Sequence, residues 1–107
     1  MDLKKNINKI DYDLSQNFKE YSISEKSSLK FGKYFEISVV ESSNVKIVVP
    51  FKNIDQGSSI DWYYYSNPLN ENSNLVNRKS SIADFSDQVK DIIENQRFSK
   101  EYKITLS

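Results

Sequence analysis

The chain has 107 residues, enough for one domain spanning residues 1–107 with a single modest core. Fifteen basic side chains balance fifteen acidic ones, which removes any bulk electrostatic pull toward a polyanion or an anionic membrane. Cysteine and histidine are both absent, so disulfides, thiolate nucleophiles, imidazole general bases and the common zinc sites are excluded.

Leu3, Ile7, Ile10, Leu14, Phe18 and Tyr21 recur at spacings of three and four, which predicts an N-terminal helix with one apolar face. Ile10, Tyr12 and Leu14 also alternate with Asp11 and Asp13, as a short strand would, but the helical pattern spans more residues. Ser24–Ser28 reads as a loop. Strand character begins near Leu29, and Gly32 breaks the alternation, marking a bulge or a sharp bend. Beyond it, Phe35, Ile37 and Val39 share a face, as do Val45, Ile47, Val49 and Phe51. The polar stretch Glu41–Asn44 between them predicts an antiparallel hairpin. Pro50 lacks the N–H a ladder needs and must lie at a strand end or on an edge.

A third strand follows over Ile60–Ser66, with Ile60, Trp62 and Tyr64 on one face and Asp61, Tyr63 and Tyr65 on the other. Asn67–Asn74 is the longest irregular run, and Leu75–Lys79 reads as a short extra strand. Ser81 is placed as the cap of a helix whose buried stripe is Ile82, Phe85, Val89, Ile92 and Ile93. The tail from Lys100 alternates weakly through Tyr102, Ile104 and Leu106 and reads as an edge strand. Together these predict an α+β fold. A helix comes first, then a bent antiparallel sheet or small barrel of three to five strands, and a C-terminal helix packs across it.

Trp62–Tyr65 is the foremost candidate site, since a strand sends its rings alternately to two faces. Tyr63 and Tyr65 then stand opposite the core, where aromatics stack on bases or anchor a protein partner. The plainer reading is that a helix or second subunit covers that face and all four rings pack. Arg78 and Lys79 form a basic pair suited to a phosphate or carboxylate, although a solvated surface needs nothing more. Arg97 and Phe98 are placed just past the helix, capping its last carbonyls or pinning the tail. Asp84, Asp87, Asp91 and Glu94 line one helical face; on a single helix this is a solvated stripe rather than a cation site. Asn70–Asn74 offers oxygens but lacks the acids and glycine of a calcium loop. Two glycines cannot build a phosphate cradle.

Residues Phe31–Val39, followed by Val45 to Asp55, resemble the first motif of the Sm/LSm family over about a quarter of the chain. Gly32-Lys33 matches the strand entrance of that motif, and Asn53 and Asp55 fall near its loop residues. The second motif, with its Arg-Gly pair, is absent, because Arg78 is followed by Lys79, and the C-terminal helix is additional. The resemblance implies a small bent barrel that forms rings and holds single-stranded RNA, with Lys33 and Asn53 in the binding set. The run Asp87–Phe98 is similar to small uncharacterised proteins of marine cyanophages and ocean metagenomes. Scarce alanine and glycine beside abundant Asn, Lys, Ile and Tyr fit an AT-rich source.

The expectation is therefore a non-enzymatic, homo-oligomeric binding module. Single-stranded nucleic acid is its ligand, held through Lys33, Asn53, Tyr63, Tyr65, Arg78 and Lys79; the alternative is a phage-type assembly protein acting through protein contacts. No small-molecule cofactor, no metal and no membrane partner are expected. Without an apolar run of about 20 residues or a signal-peptide core, the expected location is the cytoplasm, of the host if viral.

Overall fold

The computed structural model describes the backbone of residues 3–40, 42–54, 59–65 and 75–106, and the side chains of 3–40, 45–54, 59–65 and 75–95. In chain order the elements are α1 (Leu3–Asn17), β1 (Tyr21–Ser28), β2 (Gly32–Val39), β3 (Ser42–Pro50), α2 (Phe51–Ile54), β4 (Ser59–Tyr65), β5 (Leu75–Ser81) and α3 (Ile82–Leu106). The five strands form one antiparallel sheet in the order β1-β2-β3-β4-β5, a meander. Its two ends, β1 and β5, do not meet, so the sheet is open and the barrel alternative does not hold.

Helical spacing wins at the N-terminus: Ile10 and Leu14 are buried, Leu3 and Ile7 pack beside them, and Tyr12 points to solvent. The helix stops before the predicted Phe18 and Tyr21. Phe18 still enters the core, with its N–H bonded to the Leu14 carbonyl, while Tyr21 opens β1. The loop expected at Ser24–Ser28 is instead strand. Its serines carry no apolar signal because six of the eight β1 residues are exposed, and the strand is held by its ladder to β2. Gly32 is not a mid-strand bend. It follows the turn Leu29–Phe31 at a left-handed φ of 67°, with open space where a Cβ would stand, so backbone conformation alone selects glycine. The Phe31 N–H donates to Ser28 Oγ and closes that turn. The irregularity in the β2–β3 ladder lies at Ser38/Val39.

The predicted hairpin is present with Phe35 opposite Val49 and Ile37 opposite Ile47, and Pro50 ends its strand, but β3 already begins at Ser42, paired with Val39, inside the stretch Glu41–Asn44 expected as the turn. Phe51 turns into the single helical turn of α2 rather than continuing β3. Side-chain amides hold α2 on two sides: Asn6 Nδ2 donates to the Ile54 carbonyl at 2.9 Å and Asn53 Nδ2 to the Asp61 carbonyl at 3.0 Å. Ser81 Oγ accepts the Asp84 N–H, as an N-cap does, and the whole predicted stripe of α3 is buried. That helix runs on to Leu106, so the expected edge strand from Lys100 is helical, and Arg97 and Phe98 lie inside it rather than beyond it. No glycine or proline interrupts residues 96–106, and a helix satisfies its backbone locally where an edge strand needs a neighbour. Among the described residues no helix is long and apolar enough to cross a membrane.

All the helices cover one face of the sheet. Phe35, Ile37, Val39, Val45, Ile47, Val49, Ile60 and Trp62 form one cluster there with Ile10, Leu14, Phe18, Ile54 and the α3 stripe. Trp62 is at its centre, edge-on to Phe85 at 5.0 Å, its indole N–H donating to the buried Ser80 hydroxyl at 3.0 Å. Ser86 accepts from Asn17 Nδ2 at 2.8 Å and ties α3 to α1.

Candidate functional site

The strand alternation that sends Trp62 inward sends its neighbours to the face without helices. The ladder registers align three rows of side chains across that face. Glu36, Val48, Tyr63 and Asn77 make the middle row; beside it on one side Lys26, Tyr34 and Pro50 align across β1–β3 and Asp61 with Lys79 across β4–β5, and on the other Ser38 aligns with Lys46 and Tyr65 with Leu75.

Val48 explains the centre. It is 1% exposed yet does not belong to the helix-side cluster. Nearby, the Phe31 ring from the β1–β2 turn lies 5.0 Å from Tyr63 and 6.0 Å from Tyr34. Tyr34 and Tyr63 belong to β2 and β4, which flank β3, so a ring between them sits over β3 at Val48 and Pro50. The result is a small apolar platform of Phe31, Tyr34 and Tyr63 with Tyr65 one strand pair farther along. Lys30 Nζ stands 5.4 Å from the Phe31 ring.

Charges ring the platform. Lys26 pairs with Glu36 at 3.1 Å and Lys79 approaches Asp61 at 3.9 Å, while Lys30 and Lys46 add two more cations. Among the described residues the two acids of this face, Glu36 and Asp61, each stand near a lysine, so four lysines face two carboxylates there.

The residues singled out from the sequence divide between the two faces. Tyr63, Tyr65 and Lys79 stand on the helix-free face. Lys33, Asn53 and Arg78 do not. Lys33 has the parity of Phe35 and lines an open groove of about 240 Å³ with Glu25, Ser27 and Phe51 at the hairpin end. Asn53 is half-buried and fastens α2 to β4. Arg78 lies opposite Trp62 and stacks over the Tyr64 ring at 5.8 Å. Sequence reasoning missed Phe31, Tyr34, Val48, Lys26, Lys30 and Lys46. An apolar Val48 beside Lys46 on the polar parity of its strand was the available signal.

Elsewhere, the acidic stripe of α3 is solvated, with Asp87 accepting from Asn17 Nδ2 at 3.3 Å. No three acidic side chains converge on a cation site among the described residues. The loop Asn70–Asn74 lies outside the described residues. Tyr21 is perturbed: its hydroxyl donates to the Asp11 carboxylate and, at 2.9 Å, to the Asp11 carbonyl. That hydrogen bond first, then desolvation and the Asp11 charge, push the phenol up to about 12. This pairing ties β1 to α1 on the helix side and has no part in the platform. No protein-family model, curated protein or solved structure matches the chain.

Proposed function

We propose that the protein is a non-enzymatic module that binds single-stranded nucleic acid on the helix-free face of its sheet. The observation that carries this reading is the set of rings Phe31, Tyr34, Tyr63 and Tyr65 on one face with Lys26, Lys30, Lys46 and Lys79 around them. Bases offer π-faces that stack on aromatic rings, and an antiparallel sheet backed by helices presents these half-buried rings rigidly. Tyr63 and Tyr65 lie two residues apart, about 6.7 Å along the strand. The lack of histidine and cysteine supports a binding role over acid–base or nucleophilic chemistry.

Affinity is modest on this reading. Lys26 and Lys79 are largely neutralised by Glu36 and Asp61, which leaves roughly two cations for phosphates and a log–log salt slope near −1.4. Fluorescence anisotropy with labelled single-stranded oligonucleotides at low salt tests the proposal. Replacing Tyr65 by alanine weakens binding by about 5- to 150-fold, the worth of one stacked base, with the circular dichroism spectrum unchanged. Absence of binding, or binding indifferent to Tyr63→Ala and Tyr65→Ala, refutes it. The second reading is an assembly component, such as a small phage structural protein. It is favoured by the ring-on-ring packing of Phe31 and the acid–base pairs, which match the apolar centre and polar rim of a protein interface. It predicts an assembly that Tyr65→Ala dissociates, with no oligonucleotide shift.

A further inference from the structure

The edge strand β1 is eight residues long, and six of them are exposed. On its inner side it pairs with β2; on its outer side nothing pairs with it among the described residues. The Val40 N–H donates to the Glu20 carbonyl at 3.1 Å, so the even-numbered residues hydrogen-bond toward β2. Alternation then turns the N–H and C=O groups of Tyr21, Ile23, Glu25 and Ser27 outward. Edges of this length are ordinarily blunted by proline, a bulge, a covering helix or a run of like charge. The far edge, β5, carries Arg78 and Lys79 side by side with no acid. β1 has no proline, its ladder to β2 is regular, and its charges are mixed: Glu20 just before it, then Glu25 and Lys26.

We infer that β1 pairs antiparallel with β1 of a second copy, centred on Ile23, to make a continuous ten-stranded sheet. The two-fold axis then runs perpendicular to the sheet, so a residue meets one of its own parity. Registers centred on Glu25 or Lys26 oppose like charges directly, which is destabilising. Centring on Ile23 sets Ile23 against Ile23, Ser22 against Ser24, Tyr21 against Glu25, and Glu20 against Lys26. Ile23, left half-buried at the rim of the core, becomes covered. Lys26, which pairs with Glu36 in its own subunit, then lies across from Glu20 of the second copy. Both helix-free faces emerge on the same side of the dimer. The pairing nevertheless stands independently of what those faces bind.

The absence of native cysteine gives a clean test. Sedimentation equilibrium on the intact chain at about 100 µM is expected to give about twice the 12.5 kDa chain mass. In the Ile23→Cys variant the two Cα atoms lie about 5.5 Å apart, within disulfide range, and mild oxidation yields a covalent dimer. In the Glu25→Cys variant they are about 14 Å apart, and no crosslink forms. Glu20→Lys or Lys26→Glu alone weakens association by about tenfold, and combining the two restores it. A monomer at that concentration overturns the inference, as does crosslinking through position 25 in preference to 23, or a double variant no better than either single one.

Discussion

Phe31 belongs to a turn, yet the structure makes it a packing residue, and replacing it by alanine measures the platform directly. A fully buried phenylalanine is worth up to about 3 kcal/mol, and Phe31 is half-buried, which gives roughly 1–1.5 kcal/mol. Its ring contacts with Tyr34 and Tyr63, and the uncovering of Val48, add on the order of 0.5–1 kcal/mol. A loss of about 2 kcal/mol is therefore expected. For a chain of this size that is roughly 8 °C in Tm, or a urea midpoint lower by about 1–2 M. Trp62, the sole tryptophan and fully buried, reports unfolding by fluorescence without a label. Leu29, two residues earlier in the same turn, is fully exposed, so Leu29→Ala should leave the midpoint within about 0.5 kcal/mol. If both variants unfold at the same urea concentration, Phe31 does not cover Val48 and the platform as described does not exist.

Ser80→Ala strands the Trp62 N–H in the core without an acceptor and should cost about 1–3 kcal/mol by urea titration. A Trp62→Phe/Ser80→Ala pair should then lose less than the sum of the single changes, because no buried donor is left unpaired. Tyr21→Phe removes the hydroxyl that donates to Asp11 and should cost about 1 kcal/mol near neutral pH. The phenol donates only while protonated, and its folded pKa is raised from 10.0 to about 12. Its contribution is thus intact below about pH 10 and lost between about 10 and 12. The wild-type advantage over Tyr21→Phe should fade across that window, and absorbance titration should show an ionisation near pH 12 that Tyr21→Phe removes. An advantage that persists above pH 12 would contradict the assignment.

How far the fold could be read from the chain depended on whether an element buries a face of its own. The stripe of α3 and the two-residue alternation of β2, β3 and β4 were legible because each contributes apolar residues to the same core. β1 was not: Ser22, Ser24, Ser27 and Ser28 are the composition of a loop, and only the ladder to β2 makes them strand. The helical turn of α2 has no signature in the sequence because Phe51 fits the strand alternation, and its fate is decided by distant partners, Phe35 at 4.4 Å and the amides of Asn6 and Asn53. At the site, Tyr63 and Tyr65 were found because they are adjacent to Trp62 on a strand whose parity is plain. Phe31 and Tyr34 meet Tyr63 only through the curl of a turn, which has no periodicity to read.

If the helix-free face binds as proposed, the division of aromatics between the two faces separates stability from recognition. Trp62, Phe35, Phe51 and Phe85 are tied into the helix-side core, where truncation removes the packing that defines the sheet. Tyr65 and Lys46 stand on the other side with the ladder beneath them, so their side chains can change while the backbone hydrogen bonds remain. Phe31 and Val48 lie between these classes: they belong to the open face but behave as a second, smaller core, holding Tyr34 and Tyr63 in place. A binding surface built this way carries its rings already fixed, so a ligand that stacks on them spends little conformational entropy ordering them. Loss of Phe31 should accordingly weaken binding through Tyr63 even where Phe31 itself touches no ligand. On the proposed reading, Phe31→Ala should therefore reduce oligonucleotide affinity and folding stability together, because one ring supports both.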